Sequence, residues 1–163
     1  MILALCDIKG GLMMREYGYD VIDGRRVPQL VVTKDHVIAG IHQGTVHVEA
    51  GTLYLRGTLQ GTLDVQNGAF VEVTGEQQGT VTIASGAKIT VVGAIQGTTT
   101  VEPKASLVIE ASGKVAGTLC NHGLVILRGV FGGAQSGAGS LCIEDNGYIK
   151  QPVVKDGINY YEW

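Results

Sequence analysis

Apolar and polar residues alternate with a period of two, in short runs, along most of the chain. Val46/Val48, Leu63/Val65, Val81/Ile83 and Leu141/Ile143 each follow a Gly-Thr or Gly-Ser step. Leu53/Leu55, Val71/Val73, Ile89/Val91 and Val125/Leu127 sit four and two residues before a glycine. Leu59, Ile95, Val115 and Phe131 come two residues after such a glycine, and His42 and Gln77 are polar exceptions at the same place. Alternation in runs of three to five residues rich in Val, Ile, Leu and Thr predicts half-buried strands. The runs are too short, and the turns too frequent, for helices.

The runs recur in a fixed order. Gln43-Gly44-Thr45 returns as Gln60-Gly61-Thr62, Gln78-Gly79-Thr80 and Gln96-Gly97-Thr98, and then as Ala116-Gly117-Thr118. The glycine spacings are 17, 18, 18 and 20 residues. Extended by one unit backward and one forward, the pattern starts coils near Arg26, Gly44, Gly61, Gly79, Gly97, Gly117 and Gly139. A second glycine column, Gly40, Gly57, Gly75, Gly93, Gly113 and Gly129, ends the second apolar run of each unit. A looser third one is Gly51, Gly68, Gly86 and Gly123. Each unit therefore reads as three short strands separated by turns.

Such a unit cannot bury its own apolar face, so it must stack on its neighbours. The expected fold is all-β: a single-stranded β-solenoid of six to seven coils of about 18 residues, stacked at ~4.8 Å. Equivalent residues then form ladders. Gln43, Gln60, Gln78 and Gln96 should make a four-rung amide ladder, with side chains bonded along the stacking direction. Thr45, Thr62, Thr80, Thr98, Thr118 and Ser140 should stack at a corner. The flat, wide Thr-x-Thr array of an ice-binding face is missing, so the threonine ladder reads as structural. By this alignment residues 1–25 form an N-terminal cap, residues 26–150 the solenoid with a glycine-rich insertion near 132–138, and residues 151–163 a C-terminal cap.

With these columns aligned, residues 40–130 resemble the bactofilin coil, most clearly in Gly-Thr-Val-Thr-Ile-Ala-Ser-Gly-Ala-Lys-Ile-Thr-Val-Val-Gly at 79–93. The resemblance implies a right-handed β-helix and a nucleotide-independent cytoskeletal scaffold that polymerises end to end. Three departures set this chain apart: irregular coils after residue 97, the insertion, and ends that are not low-complexity tails. Tyr17, Tyr19, Tyr148, Tyr160, Tyr161 and Trp163, six of nine aromatics, lie outside residues 26–138. An open solenoid end invites stacking, whereas aromatic, non-repetitive ends look like caps. The remote enzyme alternative, a hexapeptide-type acyltransferase with a left-handed β-helix, would show inward aliphatics at six-residue intervals in strict 18-residue coils. That pattern is not present here.

Composition narrows the function. The 163 residues include 25 glycines, and 45% are apolar against 17% charged, which is unlike a disordered chain. No apolar run approaches the ~20 residues of a membrane span. Net charge is −3, from 12 basic and 15 acidic residues, which argues against nucleic acid as partner and leaves room for a basic protein. Three cysteines, Cys6, Cys120 and Cys142, make no disulfide framework. Cys120 and Cys142, each the third residue after a coil glycine, are expected to be rung neighbours with free thiols. The opening residues lack a basic leader and a long apolar stretch, so a cytoplasmic location is expected.

No catalytic or metal-binding motif emerges, and no cofactor is expected. The glycine run at 132–139 is not followed by Lys-Ser/Thr or helical periodicity. His36, His42, His47 and His122 do not converge in the repeat, and Cys120-Asn121-His122 reads as a turn. The expected function is thus non-enzymatic binding through shape. In general character, short, acidic and non-catalytic with capped ends, the chain is similar to bacterial immunity proteins that neutralise basic, nuclease-like toxins. The expected partner face is Glu102, Glu110, Glu144 and Asp145 with the aromatic anchors Tyr148, Tyr160, Tyr161 and Trp163. The competing expectation is self-assembly as a bactofilin-like scaffold.

Overall fold

The computed structural model describes residues 19–150 and 153–160. Residues 30–150 form a parallel β-solenoid of about seven turns, as the repeat predicts. Each early coil contributes a strand to each of three faces. The first face stacks Leu30–Val32, Val46–Val48, Leu63–Val65 and Val81–Ile83. The second stacks seven strands, His36–Ile38, Thr52–Leu55, Phe70–Val73, Lys88–Val91, Ser106–Ile109, Leu124–Leu127 and Ser140–Ile143. The third begins with Ile41–Gln43, Thr58–Gln60 and Glu76–Gln78. From Ala94–Val101 onward, one bent strand runs through the third face, over the Gly-Thr corner and into the first. Lys114–Asn121 and Val130–Ser136 continue it.

Alternation places one side of the strands of the middle coils inside. Leu53/Leu55, Val71/Val73, Ile89/Val91, Leu107/Ile109 and Val125/Leu127 fill the second face, and Leu59, Ile95, Val115 and Phe131 the third. Each such side chain, withdrawn from water, contributes about 1.5–3 kcal/mol. Three polar groups share this interior: Gln77, Thr99 and Asn121 are all buried. Asn121 is satisfied, since its Nδ2 donates to Ser140 O and its Oδ1 accepts from Gly123 N. Gln77 Nε2 donates to Gly61 O at 2.9 Å, but Gln77 Oε1 and Thr99 Oγ1 have no partner among the described residues.

The corner glycine is required twice over. Gly61 has φ 151°, and a Cβ there would lie 2.2 Å from Gly44 O of the coil beneath. The second glycine column is needed for space alone: a Cβ on Gly57 would lie 2.1 Å from Gly40 O. The third column is Gly68, Gly86 and then Lys104, whose φ is 69° although it carries a side chain. Gly123 falls one position later, opposite Ala105.

The last coils depart from the alignment expected from the repeat. Gly117 pairs with Gly133, not Gly139, and Thr118 pairs with Ala134, so Ser140 is not in the threonine column. Residues 132–136, read as part of an insertion, belong to the strand Val130–Ser136, in register with Lys114–Cys120. Ser140–Ile143 lies on the second face opposite Leu124–Leu127. Cys142 therefore faces Ile126, and Cys120 faces Ser136, so the two cysteines are not rung neighbours. The physical reason is burial: seating Phe131 over Val115 satisfies the core, whereas the Gly-Ser-Leu lettering at 139–141 only imitates a corner. Coil length changes at the turns. Ala111 and Ser112 add two residues to one corner, and the short His122–Gly123 turn removes two from another.

At the N-terminal end, Tyr19–Ile22 pairs antiparallel with Arg25–Pro28. Parallel stacking begins at Leu30, which faces Val46, so the first coil starts later than Arg26. Val153–Lys155 and Ile158–Tyr160 form a second antiparallel hairpin.

Candidate functional site

The second-to-third-face corner carries one residue per rung with its amide bonded to the rung below. Glu110, Arg128 and Glu144 occupy successive rungs of that column. The stack makes an ion network: Arg128 Nη1 donates to Glu110 Oε1 at 2.7 Å, and Arg128 Nε donates to Glu144 Oε1 at 3.0 Å. Asp145 Oδ2 stands 3.8 Å from the same Nε. The hydrogen bonds that Arg128 donates to Glu110 and Glu144 hold the guanidinium pKa above its ordinary value. Three carboxylates surround one guanidinium, so the cluster stays acidic while two of its acids are positioned internally. Ala111 and Ser112, the two extra residues of their coil, line the shallow groove beside it.

Of the expected partner face, the structure thus brings together Glu110, Glu144 and Asp145, with exposed Tyr148 following on the last coil. Glu102 is separate: it lies at the first-to-second-face corner, where its amide bonds Ile83 O. Tyr160 is described in its backbone only, and Tyr161 and Trp163 lie outside the described residues. Arg128, which organises the cluster, was missed from the sequence. Its spacing, 18 residues after Glu110 and 16 before Glu144, is one coil each way and held the signal.

The glutamine column is in register from Gln43 through Gln60 and Gln78 to Gln96. Gln43 Nε2 donates to Gln60 Oε1 at 3.2 Å, whereas Gln78 turns away and donates to Glu76. The threonine column holds from Thr45 through Thr62, Thr80 and Thr98 to Thr118.

A second polar constellation joins the N-terminal hairpin to the solenoid. Asp20 accepts from the Thr45 amide, from Thr45 Oγ1 at 3.1 Å and from Gln29 Nε2 at 3.1 Å. Gln29 Oε1 then lies 2.8 Å from His47 Nε2, and His47 Nδ1 lies 3.1 Å from Asp64 Oδ2, which also accepts from Gln66. Partial burial pushes the Asp20 carboxyl up, but the bonds from Thr45 and Gln29 and the charge of His47 outweigh it and leave its pKa below the ordinary value. His47 sits on the outer side of its strand, so this network seals the hairpin to the wall and is not core. Burial lowers the His42 pKa, and its buried Nε2 has no partner among the described residues.

Among the described residues no group of His, Cys, Asp and Glu is arranged to hold a metal ion. No described helix is long and apolar enough to cross a membrane. No family model matches the chain, and neither a curated protein nor a solved structure matches it.

Proposed function

We propose that the chain is a non-catalytic, protein-binding solenoid: an immunity-type inhibitor that neutralises a basic, nuclease-like bacterial toxin domain. The observation that carries this reading is the composition of the last coil. Ile143 occupies an inward core position, opposite Leu127, yet is 51% exposed. Beside it stand Glu144, exposed Asp145 and half-exposed Tyr148. An aliphatic and an aromatic anchor ringed by acids suits a basic partner, because anchors supply affinity and the acids speed encounter. Arg128 supports the reading by pre-positioning Glu144, which lowers the ordering cost on binding.

The test is a titration of the purified protein against a panel of basic bacterial nuclease toxin domains, followed by calorimetry and nuclease activity. One domain should be inhibited in a stoichiometric complex that weakens with salt. Asp145→Lys and Tyr148→Ala should each weaken it at least tenfold. Affinity untouched by both substitutions would reject this face. The same open rung favours a second reading, a bactofilin-like scaffold that polymerises end to end. The strands Ser140–Ile143 and Tyr148–Lys150 end their sheets among the described residues and present parallel edges.

A further inference from the structure

The Gly-Thr corner contains a worked example of carboxylate recognition. At its first rung the amides flanking Thr45 serve the ladder: Gly44 N donates to Gln60 O and Val46 N donates to Thr62 O. The amide between them, on Thr45, is turned out of the ladder by Gly44 at φ 113°. Together with Thr45 Oγ1 it grips the Asp20 carboxylate, which arrives from the hairpin and not from the coil. Glycine makes room for that carboxylate, since a Cβ on Gly44 would lie 2.8 Å from Asp20 Oδ2.

The next rungs repeat this arrangement with no such occupant. Gly61 N donates to Gln78 O and Leu63 N to Thr80 O, so the Thr62 amide is again outside the ladder. Gly79 N donates to Gln96 O in the same way ahead of Thr80. Gly79, Gly97 and Gly117 hold φ of 124°, 126° and 108°, close to that of Gly44. Among the described residues no acceptor faces the Thr62 or Thr80 amide. From the hairpin, Asp20 and Ile22 border the groove at its first rungs, beside Gly44, Thr45, Gly61 and Thr62. Farther along, the groove is open and lined by Ala94, Gln96, Gly97, Lys114, Ala116 and Gly117.

We propose that this corner is a carboxylate-binding groove that takes an acidic segment of a partner protein, in the manner in which Thr45 takes Asp20. Each niche supplies an amide N–H and a threonine hydroxyl, and hydrogen bonds to a carboxylate are among the stronger ones. Lys114 supplies the matching charge at the Gly97–Gly117 end of the groove, two rungs from Glu76 in the same column, so the acidic segment is placed toward that end. Niches repeat at about 4.8 Å, so one acidic segment engages more than one. This surface is separate from the acidic last coil.

The test is an amide-resolved NMR titration of the folded protein with a hexa-aspartate peptide, with hexa-asparagine as control. The Thr80, Thr98 and Thr118 amides should shift saturably with hexa-aspartate alone, while Thr45, already occupied, stays still. In Asp20→Asn the Thr45 amide should respond as well. Lys114→Gln, an exposed change that leaves the coil intact, should weaken the titration about three- to tenfold. The proposal is overturned if the threonine amides do not move, if hexa-asparagine moves them equally, or if Lys114→Gln has no effect.

Discussion

Replacing Gln77 by leucine should stabilise this protein, although it removes a hydrogen bond. Gln77 is fully buried in the column Leu59, Gln77, Ile95, and its Oε1 has no partner there. An orphaned buried acceptor costs about 1–3 kcal/mol, and the Nε2 bond to Gly61 O returns about 0.5–1.5 kcal/mol. Leucine has similar volume, deletes the orphan and adds apolar burial worth ~0.8 kcal/mol per methylene. Gly61 O loses its donor in exchange, which holds the net gain to about 1 kcal/mol, or a rise of roughly 2–4 °C in Tm at this chain length. Urea unfolding should show a higher midpoint with unchanged slope, which separates stability from a loss of cooperativity in a stacked fold. Gln77→Glu, nearly the same shape but ionisable, should lose several kcal/mol. A Gln77→Leu protein less stable by more than ~1 kcal/mol would refute the reasoning, because the amide would then be a net stabiliser.

Three further outcomes follow from the same geometry. Gly97→Ala should destabilise by roughly 2–3 kcal/mol or more, read by urea unfolding. It would put a Cβ 2.2 Å from Gly79 O at a positive φ, and the atoms it meets are Gly79 backbone, which cannot swing aside as a side chain would. Lys104→Gly should raise stability by about 0.5–1 kcal/mol in calorimetry, since it relieves a left-handed residue in a column otherwise made of glycine. His42 contributes through pH: burial holds its folded pKa below the unfolded value of about 6.5. The unfolded chain therefore takes up the proton first, and stability should fall as pH drops from about 6.5 toward the folded pKa. The pH slope of Tm across that window should flatten in His42→Leu, and an unchanged slope would contradict the assignment.

Much of the solenoid was legible because stacked coils write the core directly into the chain. The alternation at Leu53/Leu55 and its equivalents, and the corner glycines, each have one physical cause that repeats every rung. Reading failed where letters and backbone register part company. Gly139-Ser140-Leu141 looks like a corner, but Phe131 must sit over Val115, and that placed the true corner at Gly133. Two-residue changes in turn length, at Ala111–Ser112 and His122–Gly123, are invisible to a fixed period. The site was only partly legible. The acids of the last coils were named, yet Glu102 falls on another corner and Arg128 was overlooked. The grip of Asp20 on Thr45 had no periodic signature at all, because it joins an antiparallel hairpin to the second coil across 25 residues.

A solenoid that works as a discrete protein-binding particle, as proposed above, keeps one mass in solution. Light scattering behind a sizing column, with negative-stain imaging of the same fractions, tests it most directly. A discrete particle gives a single small species of constant mass across a hundredfold range of concentration. Filaments, or a mass that grows steadily with concentration, would contradict it and establish end-to-end assembly instead.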